Sequence, residues 1–335
     1  MPLCDEPRCC PKRNKIYFKG FAIIEIMGFV LKKTDLHLCR YKVAGHLIEV
    51  SQNIGDNFFT EYMDNYIPFV ENRGETDECL FSLAVEYGES VLEYTEELRQ
   101  DEDGALIICG VTAKQESVFD FRLSNEAVGL LVCAVDYKSA RLFVPRNQKQ
   151  SALKFAVNNA LMVLFAIATA PYNTVLFHAA AVSYNNRGYL FLGVSGTGKS
   201  THAQLWLKHI AGTDLLNDDN PVVRVYDEAG QVRVVVYGSP WSGKTPCYKN
   251  QEFVLGGFVL LSQAPYNKIA RLRGVQAFAA LVPCISGKRW ERVIADGLHK
   301  TENALAMNVP VWYLECQPDE AAAKLCCKNV SAEEE

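Results

Sequence analysis

No surplus of positive charge runs through this 335-residue chain. Its 34 lysines and arginines stand against 39 aspartates and glutamates, a formal net charge of −5. A nucleic-acid or acidic-membrane partner needs a basic footprint, so neither is expected. The balance leaves room for an anionic ligand held in one local pocket. Long uninterrupted apolar runs are also scarce. Residues 21–31 form a short run that contains Glu25. Residues 152–170 are long enough to span a bilayer, but they hold Lys154, Asn158 and Asn159 and end at Pro171. A buried core helix fits that run better than a membrane span. Residues 1–15 carry several charges and no apolar stretch, so they do not read as a secretory signal. None of the 12 cysteines forms a Cys-x-x-Cys pair. Cys109 and Cys133 lie inside apolar runs, as reduced thiols of a cytoplasmic protein do. Cys4, Cys9 and Cys10 cluster without an evident fourth metal ligand, so a loose tail is preferred to a metal site.

What is present is ordinary in bulk. Apolar residues make up 49% of the chain and charged residues 22%, enough for a sizeable core and two domains. Short apolar runs separated by polar turns fill residues 1–145, and VGLLVCAVDY followed by RLFVP reads as a hairpin. The acidic stretch 89–103 reads as a solvated helix face or loop. PRNQKQ, residues 145–150, marks a boundary. It separates an N-terminal α+β domain of unknown role, 1–148, from an α/β domain, 149–335. In the second half strands and helices alternate. Strands are expected over 174–182 and 189–194, a helix over 199–210, and a short strand ending at Asn217. A hairpin around 227–230 and a strand over 253–261 come next. Helices near 274–282 and 288–305, a strand over 310–316 and a last helix after Pro318 complete an α/β core.

The segment GVSGTGKS, followed by Thr201, matches the pattern G-x-x-x-x-G-K-[ST]. Gly193, Gly196 and Gly198 let main-chain amides turn inward around phosphate oxygens, with Ser195 and Thr197 between them. Lys199 would reach the β- and γ-phosphates, and Ser200 would place its hydroxyl on Mg²⁺. The helix N-terminus adds partial positive charge. An apolar strand leads in and an amphipathic helix with Ala203, Trp206, Leu207 and Ile210 leads out, which is the context this chemistry needs. The same pattern recurs at GSPWSGKT, where Pro240 removes a donor and Trp241 fills the space of a phosphate. That segment reads equally as a substrate loop carrying Trp241, Ser242, Gly243 and Lys244, or as an ordinary loop with its tryptophan in the core.

LLNDDN delivers Asp218 and Asp219 at the C-terminal end of a strand, where ligands collect in open α/β sheets. If the strand has ended by then, both acids can turn to one site, one serving Mg²⁺ and the other accepting a hydroxyl proton. His178, in the strand before the cradle strand, is either a satisfied core histidine or a neighbour of Asp218. Arg271, Arg273, Lys288 and Arg289 could assist phosphates, but surface charge is the preferred reading for each.

His178, then GYLFLGVSGTGKST, then LLNDDNPV resemble the catalytic core of HPr kinase/phosphorylase and its wider relatives, which include phosphoenolpyruvate carboxykinase. The resemblance covers about residues 150–325. It implies a P-loop kinase core of HPr kinase type and an ATP- and Mg²⁺-dependent kinase. By position, Gly193 to Thr201 would bind ATP, Ser200 and Asp219 would serve Mg²⁺, Asp218 would be the general base, and His178 would sit beside it. Lys199 would stabilise the transferred charge. The acceptor would be a hydroxyl, of a serine in a small protein or peptide or of a small metabolite, and a homo-oligomer is compatible with the likeness. The family's Glu-Ile-Arg-Gly-Leu-Gly signature is replaced here by NQEFVLGGFVLL, which marks a divergent member. A nucleotide-binding module without transfer, or a simple NTPase, remain alternatives at this stage.

Overall fold

The computed structural model describes residues 13–15, 37–71, 78–88, 92–102, 104–228, 230–243 and 245–332. The cysteine cluster at 4, 9 and 10, the run 21–31 and Lys244 lie outside them. Among the described residues the chain is mixed α/β, with two large sheets and a few helices. It divides into two compact units. The first comprises Met1–Arg40, Glu49–Asp64 and Phe81–Leu164. The second comprises Tyr41–Ile48, Asn65–Leu80 and Phe165–Glu335.

The first sheet is built from β1 (Arg13–Lys15), β2 (His37–Val43), β3 (His46–Gln52), β4 (Cys79–Tyr87), β5 (Glu93–Glu102), β6 (Ala105–Val111), β7 (Ser117–Leu123), β8 (Glu126–Cys133) and β9 (Ser139–Val144), in the order β1-β5-β6-β7-β8-β9-β4-β3-β2. A short helix, α1 (Phe58–Tyr62), follows β3. The expected hairpin is β8 with β9, which pair antiparallel. The acidic stretch is neither helix nor loop in its described part. It forms β5, paired with β6, because strand neighbours supply the hydrogen bonds that a charged helix would have to make alone. Alternating burial along β4 and β9 marks a sheet with one packed face.

Between the sheets in sequence runs α2 (Gln150–Ala168), the one described helix long and apolar enough to cross a membrane by length and composition. Of its most apolar window, 61% is buried against the rest of the chain. A 3₁₀ turn, Ala170–Tyr172, then leads into the second sheet.

That sheet holds β10 (Thr174–Leu176), β11 (Ala179–Tyr184), β12 (Arg187–Leu192), β13 (Asp214–Asp219), β14 (Val222–Glu228), β15 (Gln231–Tyr237) and β16 (Glu252–Gln263) in the order β10-β14-β15-β16-β12-β11-β13, with β17 (Lys268–Leu272) and β18 (Val311–Cys316) joined beyond β16. The helices are α3 (Lys199–His209), α4 (Val275–Leu281), α5 (Arg292–Asn308) and α6 (Glu320–Val330). The strand expected over 174–182 is two strands in different parts of the sheet. It breaks at Phe177 and His178, whose amides bond to Pro221 O and Cys284 O instead of to a strand neighbour. β12 runs parallel to β16, and β16 parallel to β18, whereas β11 runs antiparallel between β12 and β13. The turn from β11 to β12 uses Asn185 and Asn186 at φ 48° and 58°, a conformation asparagine tolerates in tight hairpins.

The apolar stripe of α3 does what its spacing implies. Ala203 and Trp206 are buried against Val182, Tyr189, Phe191 and Val259, together with Ala323 and Cys326 of α6, while Leu207 and Ile210 pack at the edge. Full burial of Trp206 removes about 150–250 Å² from water, a gross gain of roughly 4–6 kcal/mol before entropy is counted. This packing holds the first turn of α3 rigidly at the end of β12.

Candidate functional site

The loop between β12 and α3 carries the glycine pattern. Gly196 and Gly198 adopt φ +80° and +105°, and a Cβ at either would meet nothing within 4 Å. Backbone conformation, not lack of room, is therefore what demands glycine there. Gly198 is also the N-cap of α3, so the helix begins at Lys199 with its amides directed to the loop. Val194 and Ser195 are exposed on the loop's outer side, and Thr201 is exposed on the first turn. Thr197 braces the loop by donating its hydroxyl to Val194 O at 2.6 Å. Lys199 lies buried across it, its Nζ donating to Gly193 O at 3.0 Å and Val194 O at 3.3 Å.

β11 explains how distant residues meet this loop. Because it runs antiparallel, its N-terminal end lies beside the C-terminal ends of β12 and β13. Register pairs Ala180 with both Asp218 and Phe191, and Ala179 with Asp219. His178, one step before, is thus delivered to the same end. Its Nε2 stands 3.4 Å from Asp219 Oδ1. Ser200 Oγ donates to Asp218 Oδ1 at 2.6 Å.

The two acids were expected to turn to one site only if the strand had ended before them. β13 instead includes both, and Asp219 leaves the pleat through φ +139°, a strained value for a residue with a side chain. The geometry also divides them differently from the expectation. His178 neighbours Asp219 and not Asp218, while Asp218 belongs with the cradle serine. Asp218 is buried, and its Oδ2 has no hydrogen-bond partner among the described residues. Desolvation raises the Asp219 carboxyl above the usual aspartate range. His178, Lys199 and the amide of Asn220 pull it back, and the charge of Asp218 adds to the rise.

The second Gly-rich segment lies directly on the acids. Gly243 N and Ser242 Oγ both donate to Asp218 O, and Ser242 forms a β-bridge with Asp219. A Cβ on Gly243 would approach Asp218 O and Asp219 Cβ to 3.1 Å. Trp241 is anchored in the core, with its ring 5.1 Å from Phe165 and 6.2 Å from Tyr66. The tryptophan is in the core, as one of the two readings of this segment had it, and the loop it carries touches the acids.

Residues that no local signal exposed complete the arrangement. Buried Asn217 donates its amide to Ser239 Oγ and Trp241 O, and Asn65 donates to Pro240 O, which together hold the Trp241 segment in place. Cys284 lies close enough to the cradle to feel the Gly193 amide and Lys199, although burial outweighs both and pushes its thiol up. Lys288 is not a surface charge, and Arg289 is partly exposed. Lys288 is buried and pairs with Glu291, and Arg289 pairs with buried Glu302 at 2.7 Å. Arg271 lies over the Trp312 ring.

No cluster of three or more His, Cys, Asp or Glu residues that could cage a metal occurs among the described residues. Mg²⁺ seldom needs one, since it retains waters and takes one or two carboxylates beside substrate phosphates. An orphaned, buried carboxylate oxygen next to a serine hydroxyl fits that mode. No family model and no curated protein matches this chain.

Proposed function

We propose that the chain is an ATP- and Mg²⁺-dependent kinase that transfers the γ-phosphate to a hydroxyl, built on a P-loop kinase core of the HPr kinase type. The observation that carries the reading is the convergence of three separate segments on one end of the sheet: the glycine loop with Lys199, the Ser200–Asp218 hydrogen bond, and the His178–Asp219 pair. A phosphate-binding loop alone would need neither a histidine beside an acid nor a second acid on the cradle serine.

The roles follow from the contacts. Main-chain amides from Gly193 to Thr201 bind the phosphates, and Lys199 neutralises charge on the transferred group. Ser200 and Asp218 would hold Mg²⁺, and the ion would offset the charge of the phosphates. Asp219, oriented by His178, accepts the proton of the acceptor hydroxyl as that oxygen bonds to the γ-phosphorus and the bond to the β-phosphate oxygen breaks, leaving ADP. The raised carboxyl of Asp219 is a better base than an ordinary aspartate. The acceptor is a serine of a small protein or peptide, or a small metabolite, docking against the Trp241–Gly243 segment. Free thiols at Cys247, Cys284, Cys326 and Cys327 suit a cytoplasmic enzyme.

Incubation with ATP, Mg²⁺ and protein, peptide and metabolite panels, read by mass spectrometry, tests the reading. A phosphorylated product that disappears in Asp219→Asn is the expected result. ADP release independent of every acceptor would make the chain an NTPase, and intact ATP binding without turnover would make it a nucleotide-sensing module.

A further inference from the structure

The break between β10 and β11 is made by a segment that belongs to neither the glycine loop nor the acids. Residues 282–286, which follow α4, run along it. Ser286 N donates to Leu176 O at 2.9 Å, Phe177 forms a β-bridge with Ile285, and His178 N donates to Cys284 O at 2.7 Å. These contacts satisfy the backbone of residues 176–178 outside the sheet ladder. His178 is thereby held at the point from which its imidazole meets Asp219.

Arg289 grips this segment. Its Nη2 donates to Val282 O at 2.8 Å and to Ile285 O at 3.2 Å, carbonyls on either side of Cys284. Glu302 Oε1 lies 2.7 Å from the same nitrogen, at ion-pair distance. Glu302 is 1% exposed and belongs to α5. That helix is a firm anchor. Ile294, Leu298 and Leu305 are buried, and Gly297 lies so near the 3₁₀ turn before β10 that a Cβ would come within 2.6 Å of Ala170 O. We propose that Arg289 is a positioning residue: anchored by Glu302, it sets the Cys284 carbonyl that fixes His178 beside Asp219. The kinase reading above supplies what His178 does there, and the proposal rests on it to that extent. Where His178 is held does not depend on it.

Two physical points favour positioning over bulk stability. A carboxylate removed from water loses solvation that one cationic partner barely returns, so apolar side chains of similar volume often replace such a pair at no cost to the fold. What the pair supplies is direction, because charge-assisted contacts from one nitrogen to three oxygens admit one placement of the turn. A displacement of about 1 Å near reacting groups can cost on the order of 10²-fold in rate. Relaxation of the turn should therefore be felt in turnover before it is felt in folding.

Arg289→Met combined with Glu302→Leu removes the pair without leaving a lone buried charge, and Arg289→Lys keeps one cationic nitrogen. Turnover, ATP affinity and amide hydrogen exchange are measured on the full chain with Mg²⁺, in the wild-type and His178→Ala backgrounds. The double variant should lose at least about tenfold in kcat, with ATP affinity within about twofold of wild type. Exchange at the His178 amide should quicken by at least about tenfold, while exchange at Phe191 in β12 stays as it was. Arg289→Lys should recover much of both losses. In the His178→Ala background the same substitutions should change the residual kcat by less than about twofold, since a residue that acts through another has no effect once that other is gone. Unchanged exchange at His178 overturns the inference, and so does an equal fall of kcat with and without His178. If the double variant does not fold, the same comparison made with Arg289→Lys alone decides. If wild-type protein phosphorylates no acceptor, the kinase reading falls, and exchange at His178 still decides whether Arg289 holds it.

Discussion

Ser200 donates its hydroxyl to Asp218 Oδ1 across 2.6 Å and so ties the first turn of α3 to the last residues of β13. If the two serve one Mg²⁺, they act as a unit. Ser200→Ala and Asp218→Asn should each lower Mg²⁺-dependent turnover by roughly 10²-fold, and the double variant should be little worse than either single one. A double-mutant cycle run across a Mg²⁺ titration measures this. Losses that simply add would show that the hydrogen bond has no part in catalysis.

Asp219 carries a carboxyl raised by desolvation, and the consequence has a definite sign. A raised value means the folded state holds the proton more tightly than the unfolded chain does. This residue's contribution therefore becomes less favourable as pH rises from the unfolded value, about 3.9, through the higher folded one. Asp219→Asn removes that penalty. Thermal unfolding should show the variant at least as stable as wild type at neutral pH, with its relative advantage shrinking as pH falls below the folded value. The gain is small because the side chain is 41% exposed. Turnover should drop by about 10²–10⁴-fold, and the acid limb of the wild-type pH profile should lie above the ordinary aspartate range.

Lys199 binds carbonyls of its own loop, and its removal costs the fold little because the loop is also braced by Thr197. Lys199→Ala should weaken triphosphate binding by about 10–100-fold, as loss of a charge-assisted contact does, with an unchanged circular dichroism spectrum. Calorimetric titration reads the affinity. An unaltered affinity would sink the phosphate assignment of the loop.

Trp241 is 4% exposed, and its carbonyl accepts from buried Asn217 at 3.0 Å. Trp241→Ala should destabilise the protein by roughly 3–5 kcal/mol in urea, because a large core side chain is deleted. Trp241→Phe should recover much of that loss. Since Ser242 and Gly243 rest on Asp218, the alanine variant should also lose turnover beyond what its unfolded fraction explains.

Much of the second sheet could be read locally. The β12–α3 junction has its glycines, its lysine and its apolar stripe within a short run, and the two asparagines of the β11–β12 turn announce a hairpin by their own conformational preference. Other elements could not. The acidic strand β5 has the composition of a solvated segment, and only its pairing with β6 makes it a strand. Phe177 and His178 look like the middle of one strand, until the loops at Pro221 and Cys284 take their amides.

The residue types suited to phosphate and metal chemistry, and the strand and helix around the glycine loop, are properties of neighbours in the chain and act over a few bonds. Which acid faces the serine and which faces the histidine is not such a property. It depends on an antiparallel strand lying between β12 and β13, on a strained φ at Asp219, and on a loop held over both by Asn217. Those relations join residues far apart in sequence, and a shift of one residue in strand register would reverse them.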